Sequence, residues 1–372
     1  MPSLKPHSRY AQWMYDWELR LTSVDNNRVV RPLEWGTEWT AGWPGQNGAA
    51  ADPEQLFEAW NRQILSASDR WFVYAPPRDF RLERREVQVF STREVPDARL
   101  EEKVRGTFAE YLRFTSPVHT PFAENNLANA RWFPVRGRRA VVLLPHWNAD
   151  AIAYTGLCHA LNFLGIAVLR LSMPYHDIRR PAETQRADYA VSANIGRTLD
   201  ATRQGVIDIR CCLDWLETQG YSRLGIVGTS LGSCHAFLAA AHEPRIQVAA
   251  FNHASSYFAD VVWHGQSTRH IRQGLETGLD LERLRRMWLA ISPMAYFQQF
   301  SRWPRKSLII YAKYDMTFLP DLSEQIVAEF EKHRLDYRVV ALPCGHYTMG
   351  EAPYNYMDGW HLASFLRTAL EG

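Results

Sequence analysis

Residues 221–241 read YSRLGIVGTSLGSCHAFLAAA, and this stretch decides the fold. The apolar run over 222–227 predicts a buried strand, and the proline-free, alanine-rich run over 231–241 predicts a helix. Between them lie Gly228, Ser230 and Gly232, the spacing of a nucleophilic serine on a strained strand-to-helix turn. Glycine fits at both flanking positions because a side chain there would collide with the tight turn or the neighbouring strand. The alternative is an ordinary strand–turn–helix with an incidental serine.

A serine hydroxyl becomes a nucleophile only when a base takes its proton and a third group orients that base. Both groups are expected after the serine in the chain, each just past a strand. The run 306–311 predicts a strand that leads to Asp315, and the run 336–342 predicts one that leads to His346. We therefore expect Asp315 to be the acid and His346 the base. Asp260, beyond the preceding strand, is the reserve acid.

A tetrahedral oxyanion needs backbone N–H donors, one from the residue after the serine and one from an earlier loop. The buried-strand run 139–144 leads into Pro-His-Trp-Asn at 145–148. We expect the N–H groups of Leu231 and either Trp147 or Asn148 to be the donors, with Trp147 favoured. His146 either forms part of the pocket wall or braces the following helix.

These features resemble the α/β-hydrolase superfamily over residues 85–372. The resemblance implies a mostly parallel sheet flanked by helices and a serine-dependent acyl transfer. Two stretches depart from the commonest pattern. Residues 146–147 read His-Trp where many members have His-Gly, and residues 173–181 read MPYHDIRRP where many have a glycine-rich loop. The second departure looks like a distinct, esterase-like branch.

Alternating strands and helices place the chain in the α/β class, with both faces of a parallel sheet covered. We predict strands at 82–91, 131–135, 139–144, 166–171, 222–227, 247–251, 306–311 and 336–342. We predict helices near 8–20, 53–70, 149–164, 190–219, 231–241, 320–333 and 354–370. The expected domains are a helical N-terminal extension over 1–84, packed on the core, and a catalytic domain over 85–372.

The largest interruption, residues 253–300, reads as a helical cap at the sheet edge above the serine. It is either a lid that shapes an acyl pocket or a plain helical connection. Its residues expected to face substrate are Tyr257, Phe258, Val262 and Trp263. Arg179 and Arg180, past the fourth strand, could bind a carboxylate or phosphate. The alternative for them is an internal pair with Asp177 or a loop carbonyl.

Six tryptophans fall early in the chain, at 13, 17, 35, 39, 43 and 60. They either pack the N-terminal extension onto the core or line an apolar groove that binds an acyl chain or a ring.

Composition excludes several classes of function. The 42 basic and 40 acidic residues leave a net charge of +2, so nothing indicates nucleic acid binding. Five cysteines in no disulfide-like spacing indicate reduced thiols in a cytoplasmic protein. No signal-peptide core and no long apolar run are apparent, so no transmembrane segment is expected. Neither a cofactor nor a metal is expected, since His146, Asp150, His176 and Asp177 lack metal-ligand spacing.

The sequence thus predicts a serine hydrolase that cleaves a small-molecule carboxylic ester with an apolar acyl or aromatic part, through an acyl-enzyme. Thioester cleavage, peptide cleavage and acyl transfer use the same three residues. A catalytically silent hydrolase fold that only binds a ligand is the alternative from another class.

Overall fold

The computed structural model describes residues 8–24, 27–44, 52–90 and 98–371. Parts of the predicted extension and the end of the predicted first strand, Ser91, lie outside these ranges. Within them, nine strands form one sheet in the order β1-β2-β3-β5-β4-β6-β7-β8-β9. The strands are β1 Arg81–Glu86, β2 Phe108–Thr115, β3 Leu127–Phe133, β4 Arg139–Leu144, β5 Ala167–Leu171, β6 Arg223–Thr229, β7 Ile246–Asn252, β8 Lys306–Ala312 and β9 Tyr337–Leu342.

The sheet is antiparallel at one edge and parallel through the rest. Strands β1, β2 and β3 pair antiparallel, and β3 also pairs antiparallel with β5. From β5 through β4 to β9 every neighbouring pair is parallel. The carboxyl ends of the parallel strands therefore meet at one edge, where ligands bind in folds of this kind. The predicted fold class is confirmed.

Helices pack on both faces of the sheet. The helices of the described ranges follow in chain order. They are α1 Arg9–Ser23, α2 Pro53–Ser66, α3 Ser68–Trp71, α4 Ala98–Val104, α5 Thr155–Phe163, α6 Ile195–Thr218, α7 Leu231–His242, α8 Phe258–His264, α9 Arg269–Leu275, α10 Leu281–Met287, α11 Phe297–Phe300, α12 Pro320–Lys332 and α13 Tyr354–Glu371. Within the described ranges, none of them combines the length and apolar character that a membrane crossing requires. Helices α6, α7 and α12 pack on one face of the sheet, and α5 and α13 pack on the other.

Alternation along the central strands explains the two layers of core. In β4, Val142 packs in the cluster shared with α6, α7 and α12, while Val141 packs in the cluster shared with α5 and α13. Successive side chains of a strand point to opposite faces, so a continuous apolar run serves both clusters. This is why the runs at β4, β5 and β6 could be identified as buried strands from the sequence.

The antiparallel edge differs from the prediction. Strand β2 was missed, and β3 begins at Leu127 rather than at 131. The β2 sequence carries a buried arginine, Arg113, whose guanidinium lies 2.9 Å from the carboxylate of Glu83 on β1. Glu110 and Arg113 interrupt the apolar residues of β2, so this segment lacks the continuous apolar run that identifies β4, β5 and β6.

Two helices begin later than predicted. Helix α5 begins at Thr155 rather than 149, because Asp150 Oδ1 accepts hydrogen bonds from the N–H groups of Ile152 and Ala153, and Tyr154 has a φ of 68°. Helix α6 begins at Ile195 rather than 190, since Asn194 caps it through a 2.9 Å bond to Arg197 N. Both loops before these helices follow strands β4 and β5, so they reach the carboxyl edge of the sheet.

The N-terminal segment contributes to the main core. Trp43, Trp60 and Trp71 are buried in the same apolar cluster as the sheet and α6, whereas Trp13 is 45% exposed. On the opposite face, Met14 of α1 is buried in the second cluster. The first strand of the sheet, Arg81–Glu86, crosses the predicted boundary at 84, so the extension and the sheet are continuous there.

Candidate active site

The turn between β6 and α7 has the strained geometry that the glycine spacing predicts. The backbone of Ser230 has a φ of 57° and a ψ of −120°, a conformation that residues other than glycine rarely adopt. A Cβ built on Gly228 would overlap the carbonyl oxygen of Gly232. A Cβ built on Gly232 would lie 2.5 Å from the carbonyl oxygens of Leu144 and Pro145. The two glycines thus allow the backbone to close around Ser230.

The structure brings Ser230, His346 and Asp315 together. Ser230 Oγ lies 3.1 Å from His346 Nε2, and His346 Nδ1 lies 2.8 Å from Asp315 Oδ2. The other carboxylate oxygen, Oδ1, accepts bonds of 2.7 Å from the N–H groups of Thr317 and Phe318. Asp315 follows β8 and His346 follows β9, so both side chains stand at the carboxyl edge beside the β6 turn.

The charges of this group are mutually stabilised. Burial alone raises the pKa of Asp315, but His346 and its neighbour His253 outweigh it and hold the pKa well below its ordinary value. Burial alone lowers the pKa of His346, yet the adjacent carboxylate outweighs that as well and raises it above the ordinary value. Asp315 is therefore ionised at neutral pH, and a proton placed on His346 is stabilised.

The reserve acid lies elsewhere. Asp260 is in the first turn of α8, and its carboxylate forms an ion pair with Arg285 of α10, with Oδ2 2.8 Å from Nε. Asp315, not Asp260, is the carboxylate beside His346.

An oxyanion donor needs a backbone N–H that is not already bonded within the protein. The N–H groups of Leu231 and Trp147 meet this condition, whereas that of Asn148 does not. Asn148 N donates to His176 Nε2 at 3.1 Å, so this N–H is occupied. Leu231 N and Trp147 N have no hydrogen-bond partner within the part of the chain that the structure describes. The β4 and β6 strands pair in parallel with Leu144 opposite Gly228, which sets the loop after β4 beside the serine turn.

His146 braces the loop that follows it. Its Nδ1 lies 2.9 Å from the hydroxyl of Tyr154, the residue before α5. Burial, with help from the charge of His346, lowers the pKa of His146 to about 3, so the ring is neutral. Of the two roles considered from the sequence, this contact is the one expected of a brace.

The indole of Trp147 is fixed on three sides. Its Nε1 donates to Ala187 O at 2.9 Å, and its ring stacks on His270 of α9 with centroids 5.9 Å apart and planes 5° apart. The guanidinium of Arg186 lies 5.7 Å from the ring centroid. Asn148 Oδ1 accepts from Ala187 N at 2.7 Å. This packing explains how the large side chain of Trp147 is accommodated in the loop after β4.

Arg179 does not serve the site as a free cation. It is fully buried, and its guanidinium donates to Asp208 Oδ2 at 2.8 Å and to the carbonyls of Ser172 and Asn125. The guanidinium of Arg179 is thus bonded within the protein, to an acid and to loop carbonyls, as the alternative of an internal pair predicts. The acid is Asp208 rather than Asp177, which pairs with Arg170 at 3.0 Å.

Arg180 remains partly exposed. It donates to the carbonyl of Gln185, and its guanidinium lies 5.9 Å from the ring of Phe90.

The four cap residues divide into two pairs. Phe258 and Val262 are buried in the main cluster, where Phe258 packs edge-on against Trp288 at 5.7 Å. Tyr257 and Trp263 are partly buried, beneath Arg285 and Arg272 respectively.

Two residues that contact Asp315 or the loop after His346 were missed by sequence reasoning. His253 Nδ1 lies 2.8 Å from Asp315 Oδ2. Its position directly after β7 is the same signal that identified Asp315 and His346, so it could have been found. Glu18 of α1 accepts from Tyr347 N at 3.1 Å and from Thr348 N at 2.7 Å. Nothing in the local sequence indicates that a glutamate 330 positions away would hold the histidine loop.

His253, Asp315 and His346 also meet a geometric test for metal ligation, because their ligand atoms lie within 4.8 Å of one another. The N–O distances of 2.8 Å are those of hydrogen bonds. Ligands about 2.1 Å from a tetrahedral zinc would stand roughly 3.4 Å apart. The three residues therefore form a hydrogen-bonded network.

Comparison with known proteins agrees with the architecture. The family model described as alpha/beta hydrolase domain containing 18 matches residues 157–284. A search of curated proteins found no significant sequence match.

Three solved structures resemble the chain at low sequence identity. The acetyl xylan esterase from Paenibacillus sp. R4 is 13% identical with a TM-score of 0.54, and the alignment covers 86% of this chain and 96% of the esterase. Acetyl xylan esterase 1 from Thermoanaerobacterium sp. is 14% identical with a TM-score of 0.53, covering 89% of this chain and 97% of its own. An acylaminoacyl peptidase from Pyrococcus horikoshii is 11% identical with a TM-score of 0.55, covering 78% of this chain and 48% of its own. This chain thus spans about half the length of the peptidase, and in all three comparisons it has the α/β-hydrolase fold.

Proposed function

We propose that this chain is a serine hydrolase that cleaves carboxylic esters through a covalent acyl-enzyme. The single observation that carries the proposal is the continuous hydrogen-bonded series from Ser230 Oγ through His346 to Asp315, with distances of 3.1 and 2.8 Å. A strained serine, a histidine with a raised pKa and a buried ionised carboxylate are the parts that such catalysis requires.

In the first half of the reaction, Ser230 Oγ attacks the ester carbonyl carbon and its proton passes to His346 Nε2. The Leu231 and Trp147 N–H groups donate to the oxyanion that forms, aided by the positive end of the α7 dipole. As the intermediate collapses, the carbon–oxygen bond to the leaving group breaks. His346 returns the proton to the departing alcohol, and the acyl group stays on Ser230.

In the second half, water attacks the acyl-enzyme and gives its proton to His346 Nε2. The same two N–H groups stabilise the second oxyanion. Ser230 then leaves with the proton from His346, and a carboxylic acid is released. Asp315 stays ionised throughout and stabilises the imidazolium that forms in each half.

We favour an ester over a peptide as the substrate because of the share of each solved structure that aligns with this chain. The two acetyl xylan esterases align over nearly their whole length, whereas the peptidase aligns over about half of its own. We propose that α8–α11, between β7 and β8, cap the acyl pocket, since His270 of α9 stacks directly on Trp147 of the loop that holds the oxyanion donor.

Hydrolysis of p-nitrophenyl esters of increasing acyl length tests this function. Wild type should turn over at least one of them, and Ser230→Ala should lower kcat on the order of a million-fold. Ser301→Ala, at an exposed serine outside the site, is the matched control and should retain activity. Hydrolysis retained in Ser230→Ala would contradict the proposal.

A further inference from the structure

Asp315 is hydrogen-bonded to a second histidine, His253, in addition to His346. A catalytic triad of serine, histidine and acid does not require this second histidine. His253 is 3% exposed and stands immediately after β7. Its Nδ1 lies 2.8 Å from Asp315 Oδ2, the oxygen that also lies 2.8 Å from His346 Nδ1. The two imidazole rings pack together, with centroids 4.2 Å apart and planes inclined by 43°.

Hydrogen-bond chemistry fixes the protonation of this pair. An ionised carboxylate only accepts, so both Nδ1 atoms carry hydrogen. His346 Nε2 is then the unprotonated nitrogen that faces Ser230, as a base must be. Asp315 accepts four bonds in all, two on each oxygen. With His253 in place, Oδ2 is held by two donors rather than by His346 alone.

The backbone holds His253 in a conformation that costs free energy. Its φ is 53°, in the left-handed region that few side chains adopt. His253 N donates to Ile310 O at 2.8 Å, and its carbonyl accepts from Ser233 Oγ at 3.0 Å. Strain that the surroundings maintain at a buried polar residue beside a reactive site indicates a role for that residue.

We propose that His253 is a positioning residue for this site: it holds the Asp315 carboxylate and shares Oδ2 with His346, which tempers the basicity of His346. The inference rests on the function proposed above. Sharing matters because a second donor on Oδ2 withdraws charge that would otherwise stabilise the His346 imidazolium. Removing the donor should make His346 retain its proton to higher pH and leave Asp315 Oδ2 held by His346 alone.

Several other charged or titratable groups face His346 and remain in any variant of His253. They are Glu18 from α1, Asp315 after β8, His146 after β4, and Tyr347, whose hydroxyl accepts from Arg28. Burial and the charge of His346 lower the pKa of His253, so this ring is a neutral donor at neutral pH. A changed pH profile in a His253 variant therefore reports the loss of a hydrogen bond and not of a charge.

Two substitutions separate hydrogen bonding from packing. His253→Asn keeps an N–H donor near the position of Nδ1, whereas His253→Phe keeps a flat ring and removes the donor. The readouts are kcat and KM for a p-nitrophenyl ester from pH 5 to 9, and the rate of labelling by a fluorophosphonate, with melting temperatures to verify folding. Wild-type labelling establishes the active serine first, so failure of the proposed function is distinguished from failure of this inference.

We expect His253→Asn to stay within about 3-fold of the wild-type kcat. His253→Phe should lose at least about 10-fold in kcat with little change in KM, and its acid limb should move up by about half a pH unit. A wild-type profile in His253→Phe, or equal losses in both variants, would overturn the inference. If His253→Phe does not fold, His253→Leu replaces it and is judged in the same way.

A measurement on the unmodified protein is independent of any variant. Two imidazole N–H protons bonded to one carboxylate should give two separate far-downfield proton resonances. A single such resonance in the folded, active wild type would overturn the inference.

Discussion

Gly232, in the first turn of α7, packs directly against the carbonyl of Leu144, the last residue of β4. A Cβ built on Gly232 would lie 2.5 Å from that oxygen. This contact sets the distance between the helix that begins at Leu231 and the loop that contains Trp147. The two proposed oxyanion donors are therefore placed relative to each other by one close approach of backbone to backbone.

Gly232→Ala should force this contact apart. Because the added Cβ meets backbone and not a flexible side chain, the loop after β4 must shift, and the oxyanion donors should no longer converge. Loss of one such donor costs about 3–4 kcal/mol of transition-state stabilisation, so kcat should fall at least about 100-fold. Ester hydrolysis measures this. Gly359→Ala, in α13 with nothing within 4 Å of the new Cβ, is the control and should leave activity unchanged. Full activity in Gly232→Ala would show that the contact is not critical.

Asp315→Asn should impair catalysis through the tautomer of His346. The amide oxygen would remain with Thr317 N and Phe318 N, which places the NH₂ group at Oδ2. A donor there excludes Nδ1–H on His346, so Nε2 becomes protonated and no longer accepts from Ser230. We expect kcat to fall about 10,000-fold.

The control for Asp315→Asn is the same change at Asp260, the reserve acid. Asp260→Asn changes only the pair with Arg285 and should keep kcat within a few-fold. The reverse order of the two variants would move the acid to Asp260.

Glu18→Gln should weaken the histidine loop. Glu18 is buried, and its Oε2 accepts from Tyr347 N while its Oε1 accepts from Thr348 N. In glutamine one of these two oxygens becomes an NH₂ group, which cannot accept, so one of the two N–H groups loses its partner. The unpaired N–H should cost about 1–3 kcal/mol of unfolding free energy. Because His346 precedes these residues, kcat should also fall. Urea unfolding and ester hydrolysis measure the two effects, with Asp16→Asn on the exposed side of the same helix as control. Equal stability and activity in the two variants would count against a role for Glu18.

Asp358→Asn should change how stability depends on pH. Burial raises the pKa of Asp358 from 3.8 to about 7, although the Asn252 amide bonded to it opposes this shift. Below about pH 4 the Asp358 carboxyl is protonated in both the folded and the unfolded chain, so it does not lower the free energy of unfolding. As pH rises from 4 to 7 the unfolded chain ionises first, so the wild type loses stability.

The variant cannot ionise and should escape this loss. Relative to wild type, Asp358→Asn should gain about 2.6 kcal/mol of unfolding free energy between pH 5 and pH 8. Denaturant unfolding at the two pH values measures the difference. An identical pH dependence in both proteins would show that Asp358 ionises normally in the fold.

The parts of the fold that the sequence predicts are those decided by local pattern. The apolar runs of β4, β5 and β6 identify buried strands, and the ends of β8 and β9 locate Asp315 and His346. Their assembly around Ser230 follows from parallel pairing, which brings strand ends together.

Other features depend on partners that are distant in sequence. Arg179 next to Asp177 suggests a local pair, yet it bonds Asp208 on α6. Strand β2 was missed because Arg113 is buried against Glu83 on the strand before it. Glu18 reaches the histidine loop only because α1 contacts residues that lie about 330 positions later in the chain. Pattern along the chain carries no information about such long-range pairing.

The most direct test of the central claim is labelling by a fluorophosphonate probe, with the modified residue identified by mass spectrometry. The account predicts covalent labelling of the folded wild type at Ser230 near neutral pH. It also predicts that Ser230→Ala takes no label while it keeps the melting temperature of the wild type. A folded wild type that takes no label, or a label carried by another serine, would contradict the claim that Ser230 is an activated nucleophile.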